Sequence, residues 1–222
     1  MTKAIGTAAQ QAEHGDRLTM ERLVLFTDAV FAVIVTLLAL EIRLPEHASI
    51  ATHAELVAAL AATWQKIIAY AISFLVIAAI WRVHLRRYRY LVAVDSGVIS
   101  GNVVQLLLVG LVPFATSMVN TSLDPLVVSI YAGIILVSVL VGWVTWHRAA
   151  RDPHLAGPEL TNDVRRADDL RSAVTAGVFM LSIAIAWWHP VWALWSWILQ
   201  MPGNALVMRW LRRPARSAHE RR

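Results

Sequence analysis

The chain has 222 residues, 58% of them hydrophobic and 16% charged, with a mean hydropathy of +0.56, which describes an all-α polytopic membrane protein because no soluble core needs that much apolar surface. The absence of cysteine removes a disulfide framework, a thiolate metal site and a cysteine nucleophile. A formal charge of +5 could suggest nucleic acid, but no aromatic stacking platform or groove-reading motif accompanies the arginines, so no nucleic-acid partner is expected.

Residues 1–19 read as a polar cytoplasmic arm without the apolar core of a cleavable signal peptide, so the first transmembrane helix is expected to be the targeting signal. That helix is expected over residues 22–42. Between Arg22 and Glu41 the only charge is Asp28, and about 20 residues rising 1.5 Å each cross a hydrocarbon core of about 30 Å. A carboxylate at that depth costs on the order of 3 kcal/mol or more when unpaired, so Asp28 marks either a site or a structural lock. At roughly 100° per residue, Ala29, Val33, Thr36, Leu37 and Leu40 fall within about 60° of one line, and Asp28 lies roughly 140° from Val33. The stripe faces lipid or a pore; Asp28 points back into the protomer, toward Arg22, Thr27, His84 or Asn102.

Pro45 ends the first pattern, and residues 51–64 read as a mildly amphipathic lead-in to a second span at 67–84, with Lys66 at the outer interface. Arg82, Arg86, Arg87 and Arg89, interleaved with Tyr88 and Tyr90, read as lipid-headgroup anchors. The third span, 97–119, carries the amides Asn102 and Gln105, either interhelical glue or a transport site. Pro113 near its outer end frees a carbonyl that Thr116 or Ser117 can satisfy.

The fourth span is expected at 126–147, with Gly133 and Gly142 allowing close packing. A charged cytoplasmic loop follows, in which 161–171 reads as a short surface helix. His189-Pro190 then splits a charge-free stretch into a hairpin of fifth and sixth spans at 171–188 and 191–209, and Pro202-Gly203 predicts a kink in the last. Trp187, Trp188 and Trp192 at one end and Trp143, Trp146 and Trp210 at the other fit interfacial belts. The expected organisation is an arm (1–19), a six-helix transmembrane domain (20–211) and a basic cytoplasmic tail (212–222). Of the 20 lysines and arginines, all but Arg43 and Lys66 fall in the arm, the second and fourth loops and the tail or at the span ends beside them, which puts both termini in the cytoplasm.

The parts of an enzyme are missing. The histidines are scattered, and there is no His-Glu-x-x-His, Gly-rich phosphate loop or Gly-x-Ser-x-Gly elbow, so no catalysis, metal or cofactor is expected. Asp28, His84 and Asn102 are more simply partners of one another than a catalytic set.

Arg22-x-x-x-Phe26-Thr27-Asp28, followed by Val30-Phe31-Ala32-Val33 and Thr36-Leu37-Leu38, resembles the first-helix signature Arg-x-x-x-Phe-Ser-Asp of the prokaryotic lysosomal-type potassium channels, the single-repeat branch of the transmembrane protein 175 family. Thr27 replaces the family's Ser and keeps its hydroxyl. Trp81-x-x-His84, Asn102 and Pro113-Phe114-x-Thr116 resemble the family's second- and third-helix marks in the same order, so the resemblance runs from Arg22 to Thr116. It implies a homotetramer of six-helix chains whose first helices line a pore narrowed by stacked aliphatic rings. By motif position these rings are Val33, Leu37 and Leu40, with Thr36 the hydroxyl beside the constriction. Arg22, Phe26, Thr27, Asp28, Trp81, His84 and Asn102 form the signature and structural network. Val33 is shorter than the Ile or Leu usual in its ring.

No Thr-Val-Gly-Tyr-Gly carbonyl filter is present, and a hydrophobic constriction gates instead by dewetting. Glu41 and Glu46 near the outer mouth concentrate cations. The expected function is a potassium-selective or weakly selective cation channel in the bacterial cytoplasmic membrane, with K+ as the permeant ion and other copies and the lipid bilayer as partners. The alternatives are a proton- or solute-coupled carrier using Asp28 and His84 as a relay, or a non-conducting membrane scaffold.

Overall fold

The computed structural model describes residues 2–44 and 51–198. Among these, seven helical elements run α1 (Thr2–Ala39), α2 (His53–Tyr88), α3 (Ser96–Gly110), α4 (Val112–Thr121), α5 (Pro125–Ala149), α6 (Asn162–Ala186) and α7 (Pro190–Ile198). Five stretches are long and apolar enough to cross a membrane: Arg17–Ala39 within α1, then α2, α3 with α4, α5, and α6. The sixth expected span, 191–209, is described only through α7. Glu46, Trp210, the Pro202-Gly203 kink and the tail at 212–222 lie outside the described residues.

Oxygen-bearing side chains start most of these helices. Thr52 accepts from the Glu55 N–H while Glu55 reaches back to the Thr52 N–H, a reciprocal cap on α2. Asp95, Asp124 and Thr161 cap α3, α5 and α6 in the same sense. The helices are more continuous than the polarity pattern suggests. The arm from Thr2 onward is one helix with the first span, the 51–64 lead-in is part of the 36-residue α2, and 161–171 is the beginning of α6. A change from polar to apolar side chains marks the water–lipid boundary, and nothing in it interrupts the backbone ladder.

The third span breaks at Leu111, two residues before Pro113, where the Leu111 N–H turns back to the Leu108 carbonyl at 3.1 Å. Thr116 does not take up the carbonyl that Pro113 frees. Its hydroxyl donates to the Val112 carbonyl at 2.9 Å and pairs with Ser73 of α2 at 2.8 Å.

Phe31, Ile34 and Leu38 of α1 pack with Ile77 and Ile80 of α2, Val109 and Val112, Ile135 of α5 and Phe179 of α6 in the main apolar core. A second cluster, Leu23, Tyr88, Leu91, Val98, Trp146 and Leu155, closes one end of the bundle. There the α2–α3 and α5–α6 loops are joined by backbone bonds, Val92 N–H to Leu155 O at 2.9 Å and Gly157 N–H to Tyr90 O at 2.8 Å. The stretch of α1 around Leu23 and both even-numbered loops therefore share one end. Beyond the other end of α1, Lys66 of α2 donates to the Arg43 carbonyl at 3.0 Å. Trp187, Trp188 and Trp192 are exposed, as a belt requires, but Trp146 is buried in the second cluster.

Close packing of α3 on α5 rests on glycine. A Cβ at Gly101 would collide with Thr145, and one at Gly142 would stand 2.5 Å from the Gln105 side-chain nitrogen. Gly133, expected to serve the same purpose, faces open space. Gly101→Val, against the stiff Thr145 side chain, should therefore lower stability in detergent by about 1–3 kcal/mol of overpacking, read as a lower thermal midpoint. Gly133→Ala should leave it unchanged or raise it by roughly 0.5–1 kcal/mol through helix propensity alone. Equal responses from the two variants would contradict the packing described.

Candidate functional site

Helix α1 has two faces that differ in what they touch. Leu23, Thr27, Phe31, Ile34 and Leu38 recur every three or four residues and are buried against the rest of the chain, Leu38 completely. On the opposite side Ala29, Val33, Thr36, Leu37 and Leu40 are exposed, with Val33 56%, Leu37 44% and Leu40 60% accessible. The exposed line is longer than the sequence reading had it. Phe26 lies about 20° from Val33 in projection and Arg22 about 20° to the other side, and both are exposed, so the signature residues at 22 and 26 continue the stripe toward the arm. Thr36 donates its hydroxyl proton to the Val33 carbonyl at 2.7 Å, which leaves the oxygen lone pairs free.

The inward polar groups divide between two helices. Trp81 of α2 donates its indole N–H to Asp28 at 2.8 Å. Asn102 of α3 donates to the Thr27 hydroxyl at 2.8 Å, and that hydroxyl donates in turn to the Leu23 carbonyl at 2.8 Å. Asn102 is thus interhelical glue in this chain. His84 shares no hydrogen bond with Asp28. Its ring lies against Tyr88, centroids 4.0 Å apart, with Phe31 at 6.4 Å, and its Nε2 is buried without a partner. It borders a cavity of about 20 Å³ shared with Asn102, Gln105 and Trp146, room for about one water. Arg22 does not reach Asp28, because it sits on the exposed face and has no hydrogen-bond or ion-pair partner among the described residues. Glu41 is half-buried just past the end of α1.

A second polar set was not legible in the sequence. Arg87, read as a headgroup anchor, is buried; it donates to Asp168 of α6 at 2.9 Å and to Ser172 at 2.7 Å. Arg86 adds a contact to Asp168 at 3.3 Å. The available signal was Asp168-Asp169 standing next to a helix otherwise read as a span. Nearby, Arg148 of α5 donates to both oxygens of Asp95, one at 3.2 Å. This guanidinium, helped by the Val98 N–H, holds the Asp95 carboxyl below the usual carboxylate range. Among the described residues no cluster of His, Asp or Glu could hold a metal ion.

Residues 22–113 match the family described as the endosomal/lysosomal potassium channel TMEM175. A potassium channel of Chamaesiphon minutus is 30% identical over 183 residues, 81% of this chain and 87% of that protein. One from Streptomyces collinus is 29% identical over 170 residues, 74% of this chain and 81% of that protein. The crystal structure of a lysosomal potassium-selective TMEM175 homologue from Chamaesiphon minutus superposes with a TM-score of 0.72 at 27% identity, covering 86% of this chain and 98% of that one.

Removing one member of the buried pair should reveal its weight. Asp168→Ala leaves the Arg87 charge buried and unpaired, for an expected loss of about 3–5 kcal/mol, while Arg87→Met combined with Asp168→Leu should recover most of it. Thermal unfolding midpoints of the purified variants test this; a double variant no more stable than the single one would mean that the pair is not the stabilising element. The Asp95 contact adds a pH dependence. Because its folded pKa is depressed, its contribution is present above the ordinary Asp value of about 4 and is lost as pH falls below it, so wild type and Arg148→Gln should converge in stability under acid.

Proposed function

The chain belongs to the TMEM175 family of potassium channels, a family of ion channels and not of enzymes, and from that premise we propose that this multi-pass membrane protein conducts potassium through a pore built by the first helices of four identical copies. The observation that carries the reading is the bare stripe of α1. A helix whose other face is bonded to two neighbours leaves Val33, Leu37 and Leu40 uncovered at successive turns. In a tetramer about a central axis each position becomes a ring, and stacked aliphatic rings form a constriction that resists wetting. Thr36 adds the one hydroxyl oxygen on this stripe, its proton already given to the Val33 carbonyl. Arg22 and Phe26 stand on the same line toward the arm, which puts a charged ring at the inner mouth, and Glu41 lies near the outer one.

The asymmetry of lysine and arginine favours both termini inside the bacterial cytoplasmic membrane. The carrier alternative finds no support in geometry, since Asp28 and His84, its relay, are not hydrogen-bonded and Asp28 is held by an indole.

The test is cation flux into liposomes containing the purified protein, under K+ and Na+ gradients. Passive K+ flux set by the gradient is expected; saturable exchange would instead indicate a carrier. Leu37→Ala removes four side chains at one level, so conduction should rise and K+ preference should fall. Leu107→Ala, on an exposed face of α3, is the matched control and should change neither. Leu38 is unsuitable as a control because it is fully buried in the core. Thr36→Val should lower K+ preference without widening the pore. Equal effects from Leu37→Ala and Leu107→Ala would remove the basis for placing the pore on this stripe.

A further inference from the structure

Between the end of α5 and the first turns of α6 lies a depression of about 330 Å³ that conduction does not use. Arg151, just past α5, and Arg165 and Arg166 on α6 line it together with His147 and Asn162, over a floor that includes Trp146. The one carboxylate there, Asp169, accepts from the Trp143 indole at 2.8 Å and faces His147 Nδ1 at 3.4 Å, both through Oδ1, and no arginine of the hollow pairs with it. None of the three guanidiniums has an acceptor among the described residues, and the Arg165 Nε is sealed from solvent without one.

Three like charges around one hollow repel one another. An oxyanion able to take several N–H donors at once relieves that repulsion. Guanidinium matches phosphate in this way, bidentately and with full charge at any physiological pH. The volume falls in the range of about 300–1,000 Å³ typical of small-molecule sites.

We infer that the α5–α6 depression is a binding site for a phosphate-bearing anion, held by Arg151, Arg165 and Arg166. A soluble phosphate ester and the headgroup of an anionic phospholipid share this chemistry. The site joins the end of α5 to the start of α6, so its occupant bridges two of the helices that frame the bundle.

The full-length protein in phosphatidylcholine nanodiscs is the material for the test, with the thermal unfolding midpoint as readout and no dependence on flux. One arm titrates inorganic pyrophosphate against chloride at equal ionic strength; the other replaces part of the phosphatidylcholine with phosphatidylglycerol. A raised midpoint in the first arm identifies a soluble anion, and one confined to the second identifies a headgroup. In either case Arg165→Gln/Arg166→Gln should weaken the response about tenfold. Arg151→Gln, in the loop outside both helices, should weaken it too and serves if the double variant is poorly folded. Arg82→Gln, exposed and outside the lining of the hollow, should respond to pyrophosphate like the wild type. No shift in either arm, or equal shifts in wild type and both site variants, would overturn the assignment.

Discussion

In a bilayer, lipid tails are as apolar as leucine, so burial alone gives little reason for one helix to hold a fixed rotation against another. The orientation of α1 depends instead on two adjacent residues. Thr27 and Asp28 point about 100° apart around the helix axis, one toward Asn102 of α3 and the other toward Trp81 of α2. Two anchors at different azimuths fix a rotation that a single anchor would leave free. Turning α1 by one residue would break both bonds and bury a different row. The position of the bare stripe is therefore a consequence of its opposite face.

At the loop end of the bundle the arginines do unlike things, although a count of positive charges treats them as equal. Arg87 is buried and spends its donors on Asp168 and Ser172, tying α2 to α6. Arg148 is spent on Asp95, the cap of α3, and so ties α5 to that helix's first turn. Arg82 and Arg89 remain exposed, where they can serve the headgroups. The backbone bonds between the two loops lie beside these pairs, so this end is braced three ways, while the opposite end relies on contacts such as Lys66 to the Arg43 carbonyl.

Much of the first helix was legible in the sequence because its two signals are independent. Periodicity separated the Val33–Leu37–Leu40 line from Asp28, and the cost of a buried carboxylate required an inward partner, which is Trp81. The choice between lipid and pore for the bare line came from the family signature and not from periodicity. Features read from polarity alone fared less well. Polarity alone puts helix ends at the expected water boundary, although α1, α2 and α6 continue past it. Trp146 and Arg87 were assigned to the interface by residue type, but burial there is decided by a partner on another helix, and a single chain read in order does not reveal pairings such as Arg87 with Asp168. Gly133 and Gly142 look alike in sequence; only the second has a side chain, Gln105, pressed against it.

The continuity of α1 also limits how a pore along it can discriminate between ions. Through Ala39 its carbonyls belong to the helical ladder, so none is turned sideways to replace a hydration shell as a carbonyl filter requires. Discrimination along this face has to come from side chains, from the width they leave and the water they exclude. Of the five stripe residues four are hydrocarbon, and the fifth, Thr36, has already given its proton to Val33 and offers only lone pairs, which suit a cation. Val33 reaches less far than leucine, so in the proposed pore the tight levels would fall at Leu37 and Leu40, with Thr36 and Glu41 supplying oxygen on either side. An ion on the proposed path would lose water where no oxygen replaces it, a penalty smaller for the larger, less tightly hydrated K+ than for Na+.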